Sequence, residues 1–395
     1  MYYSSIFQQL FNLIPRYRFE KAVEKTSADR YCKGFTALKQ FKTCLYAQIS
    51  GKDSLRTIED GLLAEKKRLY HLGMEVVSKS TLADAMNRRS PEIFEAIFNE
   101  LLERITKLTA NHKRRFKNPV YAIDSTTIDL CLSTYNWAHY RKAKGAVKIH
   151  VMLELSEEED VPCFVMVSNG LMSDIRAARE NIAIVPDSIY VFDRGYYDLK
   201  WFKQINNSSA YFVTRFKSHA RIEFLGQHRQ VDENPGVLWD EMVRHTAYES
   251  AKKYLGPLRL IEFYDETDGE NYRFVTNNLE LDATSIAEIY KKRWKIEIFF
   301  KWIKQNLKIK SFLGTTQNAV KTQIWIALIY RLLAAYIKFL HGPNLTLTKL
   351  VQRIANTLMH NISILEMLNL DTETIKKPPD WNLPEQMELF PNFSS

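Results

Sequence analysis

The sequence predicts an α/β fold: a helical region first, then a core built on one mixed sheet, with a β-rich insertion inside that core. Three observations carry the prediction. Residues 1–118 show apolar residues at helical spacing, separated by capping signals and short polar connections. From Val120 the pattern changes to short apolar strands alternating with helices. Residues 218–283 then break that rhythm with two strand-like runs around a turn-rich segment.

The elements follow in order. Phe35 to Ile49 is a helix ending at Gly51, Ser54 caps one to Ala64, Ser80-Thr81 starts one to Arg89, and Pro91 opens one to about Thr106. Such short helices suit a helix-turn-helix with Ser80 to Arg89 as its recognition helix, although a plain bundle with basic faces fits the same residues. Asn111 to Pro119 reads as a charged linker. Val120 to Asp124, Val147 to Leu155 and Cys163 to Val167 are strands, and Asp174 caps a helix to about Ile184. Ser188 to Phe192 is a buried strand, followed by a helix from Leu199 to Ile205 and a strand from Ala210 to Arg215. Leu258 to Tyr264 and Tyr272 to Thr276 flank a turn as a hairpin. One helix runs from Thr284 to about Ile309, and the segment from Lys376-Lys377-Pro378-Pro379 reads as an extended tail.

With 395 residues, 46% of them apolar, the chain can bury a large core. The four cysteines form no CxxC pair, which excludes a disulfide framework or a cysteine zinc site and fits a reducing cytoplasm. Met1 to Pro15 lacks the charge and cleavage pattern of a signal peptide. Thr322 to Leu340 contains Gln323, Arg331 and Lys338, so it is expected as a buried core helix, with no membrane partner. The net charge of +9 lies in the first 120 residues, which hold 22 basic and 13 acidic side chains. A second basic island spans Tyr290 to Lys310, with eight Lys/Arg and Glu297 as its lone acid. Two basic patches point to a polyanion such as nucleic acid, or to two solvated helix faces.

Asp124 and Asp193 stand just past the ends of buried strands, where α/β sheets tend to place their chemistry. At about 100° per residue, Tyr290, Arg293, Glu297, Lys301, Lys304 and Lys308 share one helical stripe beside the apolar Ile289, Ile296, Phe300 and Ile303. One acid among cations and a phenol serves helix stability poorly, because like charges repel at these spacings. It suits a metal-binding carboxylate within a phosphate-gripping row, the plainer alternative being Glu297 merely paired with Arg293 and Lys301. Carboxylates suit Mg2+ or Mn2+, and three of them hold two such ions roughly 4 Å apart for in-line phosphoryl transfer. No HxxxH or GxSxG supports zinc or serine hydrolysis.

The blocks Asp124-Ser-Thr, Asp193-Arg-Gly-Tyr and Tyr290-x2-Arg293-x3-Glu297-x6-Lys304 resemble the three signature blocks of bacterial DDE insertion-sequence transposases. The last spacing matches the YREK signature of the hairpin-forming branch, the IS-four family. The resemblance implies an RNase H-like catalytic core with a β-strand insertion between Asp193 and Glu297, which lie 104 residues apart. It implies Asp124, Asp193 and Glu297 as ligands of two Mg2+ or Mn2+ ions, and Tyr290, Arg293 and Lys304 as phosphate grips. It places a base-stacking aromatic in the insertion, for which Tyr272 is the nearest counterpart although relatives carry Trp. Relatives show His-Asp where this chain has Ser173-Asp174, which leaves Asp174 as a helix cap.

Lys301, in the same stripe, and Arg194, Arg215 and Lys217, at strand ends, are further DNA-contact candidates. Asp129 and Asp198 lie near the proposed ligands, and Trp137, His139, Arg141, Lys142, Lys144 and Lys148 form an aromatic-basic run suited to a DNA backbone. The organisation expected is 1–118 helical and DNA-binding, 119–217 with 284–340 catalytic, 218–283 inserted, and 341–395 a C-terminal helical region and tail. The function expected is cut-and-paste transposition: nicking of terminal inverted repeats, hairpin formation, and strand transfer into target DNA by a homodimer at the bacterial nucleoid. The rivals are an RNase H-like nuclease without strand transfer and an inactive DNA-binding descendant of a transposase.

Overall fold

The computed structural model describes residues 4–109, 116–141, 144–156, 160–228, 236–246, 254, 256–306, 312–341 and 345–369. Among the described residues, seven α-helices precede the sheet: Ile6–Asn12, Arg16–Thr26, Ala37–Ile49, Leu55–Ala64, Lys66–Leu69, Lys79–Arg88 and Glu92–Thr109. Ser54 forms a reciprocal capping box with Thr57. The helix expected from Ser80 begins at Lys79, because Ser78 is the side chain that accepts the Thr81 N–H, at 3.3 Å. Leu82, Ala85 and Met86 face inward. Arg88 pairs with Asp84 on the outer face at 2.8 Å. The end of this helix is fastened to the core, with Asn318 Nδ2 donating to Asn87 O at 3.1 Å.

Ten strands form one sheet among the described residues. They are β1 (Val120–Leu130), β2 (His139–Arg141), β3 (Lys144–Glu154), β4 (Val161–Asn169), β5 (Ile189–Phe192), β6 (Tyr211–Arg215), β7 (Ile222–His228), β8 (Val237–His245), β9 (Leu258–Asp265) and β10 (Glu270–Thr276). β3 lies antiparallel between β1 and β4, while β5 runs parallel to both β1 and β6. The order β4-β3-β1-β5-β6 is the RNase H-like arrangement. β10 pairs antiparallel with β6, and β9, β8 and β7 follow outward, so the β-rich insertion extends the same sheet. β2, β7 and β8 were not individually foreseen.

Alternation along β1 sorts its side chains between two layers. Val120 and Ala122 join the core shared with Glu92–Thr109, Ala283–Lys292, Trp294–Asn306 and Gln317–His341. Tyr121 and Ile123 face the second core, beneath Asp174–Asn181 and Leu199–Asn207. There Phe202 stacks on Phe212 with ring centres 4.1 Å apart, and each such buried ring contributes roughly 1.5–3 kcal/mol. The helix Gln317–His341 is long and apolar enough to cross a membrane, but most of it is buried inside the fold, as expected of a core helix. Residues 345–369 pack against the first helix: Phe7 N donates to Leu358 O at 2.9 Å, and Gln9 Nε2 to Ile362 O at 2.6 Å. The expected tail lies outside the described residues.

The single helix expected from Thr284 is two helices, Ala283–Lys292 and Trp294–Asn306, broken at Arg293. The Arg293 N–H reaches Tyr290 O at 3.0 Å and the Ile296 N–H reaches Arg293 O at 3.1 Å. Both bonds span three residues and tighten the backbone locally. Lys308, the last position of the stripe, lies outside the described residues.

Candidate active site

β1 and β5 pair in parallel as far as Ile123 and Phe192, so Asp124 and Asp193 follow that pair at one level. Asp193 leaves β5, whereas Asp124 lies inside β1, which runs on to Leu130 because it stays paired with β3 and does not end at Asp124 as expected. Asp124 shares the parity of Ala122 and therefore faces the helix Trp294–Asn306. Asp124, Glu297, Lys301 and Lys304 line one cavity of about 390 Å3. Asp193 turns one oxygen back to the Gly195 N–H at 2.8 Å, capping the short turn Arg194–Tyr196. A Cβ at position 195 would stand 2.9 Å from that oxygen, which explains the glycine.

Arg293 joins two of the acids. Its guanidinium lies 3.5 Å from Asp124 Oδ2 and 2.5 Å from Glu297 Oε1. The backbone break at Arg293 does not remove the ion pair that helical spacing expected. Burial pushes the Asp124 carboxyl up to about 7, with Asp193 and Glu297 adding to the rise while the Ser125 N–H and Arg293 oppose it. The carboxylate oxygens of this corner are of the kind that fit a hard divalent cation, although Arg293 already supplies a positive charge there. Among the described residues, no three His, Cys, Asp or Glu side chains are gathered as a ready metal-holding group. Arg293 lies between Asp124 and Glu297, and Asp193 is engaged by its own turn.

The upper part of the stripe meets the insertion. Arg215 lies over the ring of Tyr272 at 4.3 Å and over that of Tyr290 at 5.8 Å, and Arg293 lies over Tyr290 at 5.7 Å. These four residues line a second cavity of about 540 Å3. The Tyr272 hydroxyl donates to Asp268 Oδ2 at 2.5 Å. Lys217 is turned to the Tyr197 carbonyl at 3.3 Å, and Arg194 is exposed on the turn after Asp193.

Other expectations are corrected. Asp198 caps the helix Leu199–Asn207 through the Trp201 N–H at 2.8 Å, and Asp129 is exposed on the face of β1 opposite Asp124. Trp137 donates to Thr315 O at 2.7 Å, so its indole is fixed in the fold. Lys148 is buried and donates to Asp174 Oδ1 at 3.0 Å, which removes it from any DNA-tracking run. Lys142, and the side chains of His139, Arg141 and Lys144, lie outside the described residues. Asp174 caps nothing: Ser173 is the cap position, and the Asp174 carboxylate turns to Ser125 Oγ at 2.6 Å. His150 stands beside it, with Nδ1 at 3.6 Å from Asp174 Oδ1 and burial pushing its pKa down to about 4. Sequence reasoning missed this cluster, because it is assembled by the register of β1 on β3.

Comparison with known proteins identifies the family. The sequence profile described as "Transposase DDE domain" matches residues 115–333, and a second profile, described only as a domain of unknown function, matches residues 3–75. A Sinorhizobium fredii protein named as a transposase (y4zB) is 35% identical over 69% of this chain and 76% of its own length. A Geobacillus stearothermophilus protein named as a transposase for the insertion sequence element IS5377 is 26% identical over 64% of this chain and 66% of its own. A Synechocystis protein named as a transposase for the element IS4SA is 26% identical over 67% of this chain and 72% of its own. With its RNase H-like sheet and a profile match over more than half its length, the chain belongs to the DDE transposase family, whose domains work on DNA with divalent metal ions.

Proposed function

We propose that this transposase moves its insertion sequence by cut and paste, and that Asp124, Asp193 and Glu297 hold two Mg2+ or Mn2+ ions for the reaction. The observation that carries this reading is the cavity shared by Asp124, Glu297, Lys301 and Lys304, whose contributors come from the first core strand and a helix some 170 residues later. When bound, the ions supply activation of the attacking oxygen and stabilisation of the departing one. The chain does the rest. Lys301 and Lys304, exposed at the cavity mouth, grip phosphates of the cleaved strand. Arg293, Tyr290 and Arg215 hold the end of the element, with Arg194 and Lys217 as outlying phosphate contacts. Tyr272 stacks on an unpaired base while the hairpin forms.

In this reading residues 1–118 recognise the terminal inverted repeats, 119–217 and 284–340 carry catalysis, 218–283 supply Tyr272, and 341–395, the C-terminal helical region and tail, serve the pairing of two copies. Two copies pair two ends before strand transfer into target DNA in the bacterial cytoplasm, at the nucleoid. The test supplies the purified protein with Mg2+, a duplex bearing the inverted repeat that flanks its gene, and a supercoiled plasmid. Nicking, a hairpin end and a joined product are expected, and Glu297→Gln is expected to abolish all three while the repeat is still bound. Cleavage with no hairpin and no joined product would favour a nuclease and overturn the proposal.

A further inference from the structure

On the face of the sheet opposite Glu297, a polar cluster touches the active-site strand from behind. Ser125, one residue past Asp124, lies opposite His150 in the β1–β3 register, and Lys148 lies opposite Thr127. Side chains of equal parity share a face, so Ser125, Lys148 and His150 all point beneath the helix Asp174–Asn181. Asp174 Oδ1 is the common acceptor: Ser125 Oγ donates to it at 2.6 Å and Lys148 Nζ at 3.0 Å. Lys148 also donates to Met172 O at 3.2 Å, and His150 Nε2 bonds Ser168 Oγ at 2.9 Å.

This placement is costly unless it serves something. A lysine and a histidine with 10% and 5% of their side chains exposed are held at the sheet surface, where an apolar pair would pack without desolvating a charge. Asp174 opens its helix yet leaves that helix's N–H groups uncapped, so its carboxylate is spent on the sheet. What the carboxylate holds is Ser125, and Ser125 in turn holds Asp124, since its backbone N–H donates to Asp124 Oδ1 at 2.7 Å. Asp124 Oδ2 is thereby left facing Arg293. Lys148 anchors Asp174, Asp174 anchors the Ser125 hydroxyl, and the Ser125 amide fixes which oxygen of Asp124 enters the cavity.

We infer that Asp174 and Ser125 are positioning residues: the Lys148–Asp174–Ser125 chain sets the orientation of the Asp124 carboxylate and so the affinity of the site for a divalent cation. The inference rests on the reading of Asp124 as a metal ligand. Groups that orient a ligand in this way typically change metal affinity 10–100-fold when removed.

The test measures Mn2+ binding to the DNA-free full chain by calorimetry, with thermal unfolding recorded for every variant. Ser125→Ala and Asp174→Asn are each expected to weaken Mn2+ binding at least about tenfold. Their double variant is expected to be no weaker than the weaker single, because both cut one chain of hydrogen bonds. Ser125→Thr, which keeps the hydroxyl, is expected to restore affinity to within about threefold. Additive losses, an unrestored Ser125→Thr, or losses that merely track a falling Tm would overturn the inference. Asp124→Asn separates the two levels. If it abolishes Mn2+ binding while Ser125→Ala and Asp174→Asn do not weaken it, the positioning chain is wrong; if it leaves binding intact, the ligand reading itself is wrong.

Discussion

Arg293, at the break between two helices, places its guanidinium 3.5 Å from Asp124, a residue 169 positions earlier in the chain. The same group donates to Glu297 at 2.5 Å. A fixed cation thus sits between two carboxylates proposed to bind metal. Opposite charge near a carboxylate stabilises its ionised form, and a metal ion entering the cavity must compete with it. Arg293→Gln keeps most of the side-chain length and removes the charge. It is expected to raise the Mn2+ affinity of the DNA-free protein about tenfold, equivalent to ~1.4 kcal/mol, while weakening binding to a duplex end. Unchanged or weaker Mn2+ binding in calorimetry would show that the guanidinium does not compete.

The Asp124 carboxyl predicts how stability depends on pH in metal-free protein. Its folded value of about 7 lies above the ordinary 3.8, first because it is buried. The folded chain therefore holds this proton more tightly than the unfolded chain does. The stabilisation is complete below about pH 4 and is lost as pH rises toward 7, at a limiting slope of roughly 1.4 kcal/mol per pH unit. Asp124→Asn has no such proton, so the part of the slope between pH 4 and 7 that this group supplies should disappear. Denaturant unfolding in EDTA at pH 4, 5.5 and 7.5 checks this. Equal slopes in the two proteins would mean that Asp124 ionises near its ordinary value.

Lys301 and Lys304 project from one helix turn to the next at the cavity mouth, and both are exposed. If each neutralises one phosphate, Lys301→Ala and Lys304→Ala should each reduce the salt slope of DNA binding by about 1. The loss should be uniform across sequences, because a phosphate contact carries no base information. Fluorescence anisotropy at several salt concentrations, with the cognate repeat and a scrambled duplex, measures both. A loss confined to the cognate duplex would assign these lysines to base reading instead.

Much of this arrangement was legible in the sequence. Asp124 and Asp193 could be placed because each follows a short buried apolar run, a local pattern that needs no tertiary information. Glu297 stood out as the only acid in a basic stripe. The break at Arg293 was not legible, since apolar residues such as Ile289, Ile296, Phe300 and Ile303 continue across it as in one helix. Nor were the partners of Asp174 and Trp137. Asp174 reads locally as a cap, and only the register of β1 on β3 brings Ser125 and Lys148 to it. The acceptor of Trp137, Thr315, lies 178 residues away. Pairings at that separation are decided by packing, which period and propensity do not encode.

Arg89 tests what the N-terminal helices are for. It follows the helix Lys79–Arg88, expected to enter a DNA groove, yet only 9% of its side chain is exposed. Its guanidinium donates to Gln40 Oε1 at 3.0 Å, to Asp29 Oδ1 at 3.2 Å and to the Phe35 carbonyl, closing the loop between Arg16–Thr26 and Ala37–Ile49. Removing one partner of a buried charge network costs about 3–5 kcal/mol, because Asp29 and two carbonyls are left poorly paired. Arg89→Ala should therefore lower Tm by several degrees. Arg88→Ala, by contrast, removes an exposed side chain whose pair with Asp84 adds at most about 1 kcal/mol, and should leave Tm nearly unchanged. If this helix contacts DNA, the two variants should separate cleanly: Arg88→Ala weakens repeat binding at constant Tm, and Arg89→Ala lowers Tm with binding intact below the transition. Weaker binding from Arg89→Ala at constant Tm would place its guanidinium on the DNA instead of in the loop.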